Sequence, residues 1–248
     1  MNDLNKTGNP ILRTKAFTQP GVIGGDRATI AGTIGKAVIM LVLLTLTAGW
    51  VWGQLYTTGS AQSVMPYVIG GVIGGLVFAL ATSFKPNWSP VTAPLYAICE
   101  GLALGGFSAL FEMRYPGIVI QAVGLTLAVA FGMLGLYATG IIKVTDRFRR
   151  MLVSATVGIM IFYAITWIVS LFGVDTSIIY GHSSLSIGIS LIIVAIAAFN
   201  LVLDFDIISR QTAMGAPRFM EWYGAFALMV TLVWLYLEIL RLLGNTRR

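Results

Sequence analysis

Four acidic residues lie inside or at the edge of long apolar stretches: Glu100, Asp204, Asp206 and Glu238. The whole chain has only ten acidic residues among 248. An ionised carboxylate in membrane hydrocarbon costs several kcal/mol, so such a residue is paired with a cation, is protonated, or faces a wet cavity. Acids in these positions bind cations or carry protons. They are the residues of this sequence best suited to chemistry.

The sequence offers little other chemistry. A single cysteine, Cys99, and a single histidine, His182 in a predicted outer loop, exclude an intramolecular disulfide and a Cys/His metal cluster. An intramembrane aspartic protease needs two aspartates that share one proton at one depth. Asp204 and Asp206 lie two positions apart, about 200° around a helix, and point to different sides. We expect no catalysis and no cofactor.

The composition is that of a polytopic membrane protein. Hydrophobic residues make up 57% of the chain and charged residues 10%, whereas an ordinary soluble domain has about 25% charged residues. A membrane-spanning helix needs roughly 20 mostly apolar residues. Seven segments qualify: 35–55, 65–84, 90–111, 117–142, 151–172, 185–205 and 222–243. We predict an all-α seven-helix transmembrane domain at 35–244, between a polar, flexible segment at 1–34 and a basic tail at 245–248.

The lysines and arginines predict the orientation of the chain. With a cytoplasmic N-terminus, twelve lie on the inner side and four, Arg114, Arg241, Arg247 and Arg248, lie on the outer side. This bias follows the positive-inside rule. It explains the net charge of +6 without nucleic acid as a partner. A re-entrant last segment, which would bring the three C-terminal arginines inside, stays open as an alternative.

The first and the last of the four acids are predicted to differ in role. Glu100 lies about ten residues into the third span, or ~15 Å, close to the middle of the bilayer. It is either functional or a neutral acid hydrogen-bonded to another helix. Glu238 lies about 24 Å along the last helix, near its outer end. Because Arg241 follows one turn later, we expect a structural Glu238–Arg241 ion pair.

The two aspartates lie near the inner end of the sixth span. Asp206 reaches Arg210 one turn later, and Asp204 shares a helix face with Asn200, which extends a polar path inward. Glu221 opens the seventh helix on the same side, so three carboxylates are expected to converge there. Close carboxylates titrate as a coupled unit, and Ca²⁺ prefers several oxygen ligands. We therefore predict a proton-sensitive cluster, with Asp204 and Asp206 as candidate Ca²⁺ ligands.

Three stretches of the chain carry a resemblance to a known family. They are residues 84–101, with Phe-Lys-Pro at the start and Glu100 near the end; residues 199–206, which contain both aspartates; and the closing residues 235–244. Together they resemble the Bax inhibitor family, the transmembrane Bax-inhibitor-motif proteins and their bacterial YccA-like relatives. The resemblance covers most of residues 35–244. It implies a bundle in which the outer helices surround the last one.

The resemblance also implies a mechanism. Some bacterial members behave as pH-sensitive calcium leak channels, in which an aspartate ending the sixth helix and one in the seventh form a latch at the cytoplasmic side. Asp206 best matches the first position, and Asp204 is a close second. Aligning the C-terminal stretch puts Thr231, which cannot ionise, at the second position. On that register Glu221 or Asp204 has to take the place of the missing acid.

Two functions from different classes follow from these observations. The first is a cation leak channel, for Ca²⁺ by expectation, gated by protonation of Asp204, Asp206 and Glu221 and by Glu100 at mid-depth. The alternative is a non-conducting regulator that binds another membrane protein, such as a membrane-bound protease. Either way, we expect a bacterial protein of the cell inner membrane, surrounded by lipid.

Overall fold

The computed structural model describes residues 27–173 and 184–247. Most of the predicted N-terminal segment, His182 and Arg248 lie outside the described residues. The described part contains seven α-helices: α1 Ile30–Thr58, α2 Ala61–Phe84, α3 Ser89–Arg114, α4 Ile118–Ala138, α5 Asp146–Leu171, α6 Ser184–Ala213 and α7 Met220–Thr246. A short 3₁₀ turn, Pro86–Trp88, precedes α3. The predicted all-α bundle of seven helices is confirmed.

Each of the seven helices is long and apolar enough to cross a membrane. Most of them reach beyond the predicted spans: α1 begins at Ile30, and α6 continues to Ala213 rather than ending at residue 205, whereas α4 ends at Ala138 rather than at residue 142. The extension of α6 carries Asp206, Arg210 and Gln211, so apolar length alone did not mark it. Helix starts are set by capping side chains, as where Thr29 accepts a hydrogen bond from the Gly32 amide. The chain is a multi-pass membrane protein.

The last helix lies at the centre of the bundle. α7 packs against α1, α3, α4 and α6, and its buried side chains include Met229, Leu235 and Leu240. By contrast, α5 lies at the periphery. Its main neighbour is α6, and Leu152 and Thr166 are its only buried residues.

Small residues bring α1, α2 and α3 close together: Gly71 and Gly75 of α2, and Gly101 and Gly105 of α3, form Gly-x-x-x-Gly patterns, which let helix backbones approach closely. A Cβ atom on Gly71 of α2 would lie 2.6 Å from the backbone nitrogen of Ala103 in α3. A Cβ atom on Gly105 of α3 would lie 2.5 Å from the carbonyl oxygen of Ala48 in α1. Backbone contact at these crossings makes the first three helices one tightly packed unit.

Candidate functional site

The helices define two ends of the bundle, which we call the Glu221 end and the Asn245 end after residues near the start and finish of α7. At the first of these, Glu221 holds the start of α1. One carboxylate oxygen, Oε1, accepts hydrogen bonds from the Thr29 amide at 2.8 Å and the Thr29 hydroxyl at 3.0 Å. The other accepts one from the Lys36 ammonium. The charge of Glu221 is thus neutralised by Lys36. Its carboxylate also accepts a hydrogen bond from the Thr29 amide, at the N-terminus of α1, where a negative charge is favourable.

Close packing fixes this contact between α1 and α7. Gly32 lies directly against the Glu221 carboxylate, since a Cβ atom at that position would be 2.0 Å from Oε1. The Lys36 ammonium also lies 5.6 Å from the centre of the Trp222 ring, within the range of a cation–π contact. The sequence placed Glu221 at this end but gave no sign of Lys36 and Thr29 as its partners.

Asp206 lies between two arginines. Its Oδ2 atom is 2.8 Å from a guanidinium nitrogen of Arg149 in α5 and 2.8 Å from the Nε atom of Arg210. The Arg210 contact is the predicted one, between residues one turn apart. The Arg149 contact joins α5 to α6. From the sequence, Arg149 was counted only among the basic residues that predict the orientation of the chain in the membrane, and not as a partner of Asp206. Asp206 therefore carries a fully compensated charge.

Asp204 points to the other side of α6, towards the centre of the bundle. Its carboxyl group faces the Thr231 hydroxyl of α7. Its Oδ2 atom is buried and has no hydrogen-bond partner. Asp204 lies nine residues before the end of α6 and Thr231 eleven residues after the start of α7, so both are about 14–17 Å from the Glu221 end. Of the two aspartates, Asp204 is the one that faces Thr231.

Glu100 lies at a similar level but on a different helix pair. It is eleven residues into α3, about 16 Å along the axis, and its carboxylate packs against α2, where a Cβ atom on Gly75 would lie 2.8 Å from Oε2. Within the described part of the chain, Glu100 has no hydrogen-bond or ion-pair partner. In these residues, no hydrogen bond and no ion pair joins Glu100 to Asp204.

Two further sets of polar contacts follow α5 towards the Asn245 end. The Asn200 amide donates to the Thr156 hydroxyl at 2.9 Å. Farther along, Glu238 Oε1 accepts hydrogen bonds from the Tyr163 hydroxyl at 2.5 Å and the Trp234 indole at 3.3 Å.

Arg241 completes the second of these sets. It lies 3.4 Å from Glu238 Oε2, as the spacing suggested, and it donates to the Tyr163 hydroxyl at 2.7 Å and to Ser190 at 3.3 Å. The sequence indicated the Glu238–Arg241 pair because its two members are one turn apart. It missed Tyr163 and Ser190, which come from other helices. The result is a five-residue polar network linking α5, α6 and α7.

The three carboxylates that the sequence predicted to converge thus have separate partners and do not form one cluster. Glu221 bonds to α1, Asp206 pairs with two arginines, and Asp204 faces Thr231. Across residues 27–173 and 184–247, no group of three or more His, Cys, Asp or Glu side chains could hold a metal ion. The assignment of Asp204 and Asp206 as Ca²⁺ ligands stays a prediction.

The fold and the buried acids define a multi-pass α-helical membrane protein with acidic groups at mid-depth in its bundle. The chain belongs to the Bax inhibitor 1 like family, whose model matches residues 9–248. This confirms the family indicated by the sequence. Searches of curated proteins and of solved structures found no match.

Proposed function

We propose that this protein is a proton-sensitive cation leak pathway of the cell inner membrane, with Ca²⁺ as the expected ion and the N-terminus in the cytoplasm. One observation carries the proposal: Asp204 faces Thr231 across the contact between α6 and α7, and its Oδ2 atom is buried without a hydrogen-bond partner. A buried acid without a cation beside it exchanges protons as its surroundings change. Asp204 is the group we assign to proton sensing.

The other acids are less suited to that role. Asp206, Glu221 and Glu238 each have an arginine or lysine as a direct partner. Their charges are compensated in place, so protonation would break an ion pair and leave a cation buried. Glu100 shares with Asp204 the lack of a cationic partner, and it stays a second candidate at mid-depth.

Thr231 supplies a physical link between proton uptake at Asp204 and helix contacts. Its hydroxyl donates to the carbonyl oxygen of Ala227 at 3.2 Å and faces the Asp204 carboxyl group. A hydroxyl has one proton to donate. When Asp204 is protonated, it donates to Thr231, which donates to Ala227; when Asp204 is ionised, Thr231 must donate to the carboxylate instead. Protonation therefore rearranges the hydrogen bonds between α6 and α7.

The expectation of Ca²⁺ rests on family resemblance and on oxygen chemistry. Calcium prefers oxygen ligands such as carboxylates and carbonyls. The Asp204 carboxyl group, with the Thr231 hydroxyl facing it, and the Asn200 side-chain carbonyl, one turn away on α6, supply oxygen atoms. Asp206, with its charge already compensated by two arginines, is the weaker of the two predicted ligands. Asp204 is accordingly the ligand we favour.

The test is a flux measurement on purified protein in liposomes. We expect Ca²⁺ entry above that of empty liposomes, with a rate that changes across about pH 5–8, the range in which buried carboxyls titrate. Potassium in place of Ca²⁺ measures selectivity. No cation flux at any pH would reject the channel and support the alternative, a non-conducting regulator that binds another membrane protein.

A further inference from the structure

Polar side chains recur at a fixed interval along α5. Arg149, Thr156 and Tyr163 are seven residues apart, which is two helical turns, so they lie along one face. The same interval recurs on α7, where Thr231, Glu238 and Asn245 are all buried. Runs of polar residues on the contact faces of membrane helices are costly unless they meet each other.

The polar face of α5 meets side chains of α6 at two levels and of α7 at a third. Arg149 contacts Asp206 at 2.8 Å, Thr156 contacts Asn200 at 2.9 Å, and Tyr163 contacts Glu238 at 2.5 Å. We call these six residues the polar seam. From Arg149 to Tyr163 is fourteen residues, or about 21 Å along the helix, which is most of the ~30 Å thickness of the hydrocarbon. The seam therefore crosses the greater part of a membrane.

Of the helices that form the polar seam, α5 has the least apolar packing. Only Leu152 and Thr166 of α5 are buried, whereas α7 has sixteen buried residues. Apolar side chains gain little by leaving lipid for a helix interface, so polar contacts contribute much of the attachment of such a helix. Of the seven helices, α5 is the one that separates with the least loss of packing.

Separation of α5 would leave a row of oxygen-bearing side chains on α6 and α7. Asn200, Asp206 and Glu238 would lose their α5 partners, and Asp204 lies between the levels of Asp206 and Asn200 on α6. Arg149 would leave together with α5, which would uncover part of the charge of Asp206. Oxygen ligands spaced along a path are what a hard cation needs to replace its water.

We infer that the cation route runs along the polar seam, between α5 and the α6–α7 pair, and opens when α5 moves away from them. This inference rests on the proposed function and adds its route. Thr156, on the middle level, becomes a route-lining residue, and α5 becomes the moving element. The tightly packed interfaces among α1, α2 and α3 are not part of the route.

Cysteine accessibility tests the route without relying on flux. Cys99 is the only cysteine, so Cys99→Ser gives a background for single replacements. We compare Thr156→Cys on the seam with Val157→Cys, its exposed neighbour on the same helix, and Thr47→Cys at the α1–α3 contact. Only a thiolate in water reacts, so we expect a membrane-impermeant thiosulfonate to modify Thr156→Cys at least about tenfold faster than either control.

If Thr156→Cys reacts no faster than the controls, the seam is not a water path. If Thr47→Cys reacts and Thr156→Cys does not, the route lies at the α1–α3 interface instead.

Failure of the seam and failure of the channel give different results. Cation flux with an inert Thr156→Cys rejects the seam and leaves the channel. A reactive Thr156→Cys in liposomes without any flux rejects the channel and leaves a hydrated seam.

Cross-linking tests the movement of α5. In the Cys99→Ser background, Thr156→Cys and Asn200→Cys place two thiols at positions whose native side chains are hydrogen-bonded. Joining them with a short, reducible bifunctional thiol reagent ties α5 to α6. We expect flux to fall to the level of empty liposomes and to return after reduction. Unchanged flux in the cross-linked protein overturns the opening by α5.

Discussion

Replacing Asp204 with asparagine is expected to abolish the pH dependence of cation flux. The amide has nearly the shape of the protonated carboxyl group and cannot ionise. In liposomes, flux through Asp204→Asn should therefore vary less than about twofold across pH 5–8. It should stay at the level that the wild-type protein shows at the acidic end of that range.

Asp206→Asn is the matched control, two residues away on the same helix. Because Asp206 is held between Arg149 and Arg210, its loss should weaken the attachment of α5 while leaving the shape of the pH profile intact. A wild-type profile in Asp204→Asn would contradict the assignment. A flat profile in Asp206→Asn alone would return the sensing role to the residue that the family resemblance favoured first.

The second large effect is expected at the contact between α1 and α7. Glu221→Ala would leave the Lys36 ammonium without its counter-charge and the Thr29 amide without its acceptor. Removing one partner of a buried ion pair typically costs 3–5 kcal/mol, and the residual solvent contact of Lys36 places the expected loss near about 3 kcal/mol. Thermal unfolding of the detergent-solubilised protein measures the loss.

Two further variants separate charge from packing at this contact. Asp146→Ala removes an exposed acid at the start of α5 and should cost no more than about 0.5 kcal/mol. Lys36→Met combined with Glu221→Leu removes both charges together, and it should recover much of the stability lost in Glu221→Ala. A melting temperature for Glu221→Ala equal to that of Asp146→Ala would show that the pair contributes nothing.

The fold was predictable because membrane crossing imposes a simple length rule. Seven apolar runs gave seven helices, and each run marked the lipid-crossing part of its helix. The ends were harder to predict. α6 reaches Ala213 because helical hydrogen bonding continues into a sequence with several polar residues, where hydropathy carries little signal. The close crossings at Gly71 and Gly105 followed from small residues spaced four apart.

The site was predictable only where its contacts are local. Asp206–Arg210 and Glu238–Arg241 are pairs one turn apart, and helix periodicity reveals them. Lys36, Arg149 and Tyr163 contact acids on other helices, and their positions depend on how each helix is rotated in the bundle. The seven-residue spacing of polar residues on α5 was present in the sequence, but only the structure shows what they face.

The choice between Asp204 and Asp206 has the same physical origin. Two positions on a helix differ by about 200°, so one aspartate had to face the last helix and the other had to face away. Motif resemblance favoured Asp206, whereas the rotation of α6 directs Asp204 to Thr231 and Asp206 to the arginines. Sequence spacing established that the two acids differ but gave no means of ranking them.

Infrared difference spectroscopy of the reconstituted protein tests the central claim most directly, because it detects proton uptake at Asp204 itself. The carbonyl stretch of a protonated carboxylic acid is distinct from that of a carboxylate. Acidification should produce such a band in the wild-type protein, with the same pH midpoint as the Ca²⁺ flux, and the band should be missing from Asp204→Asn. Identical difference spectra for the two proteins would contradict the claim that Asp204 is the proton sensor.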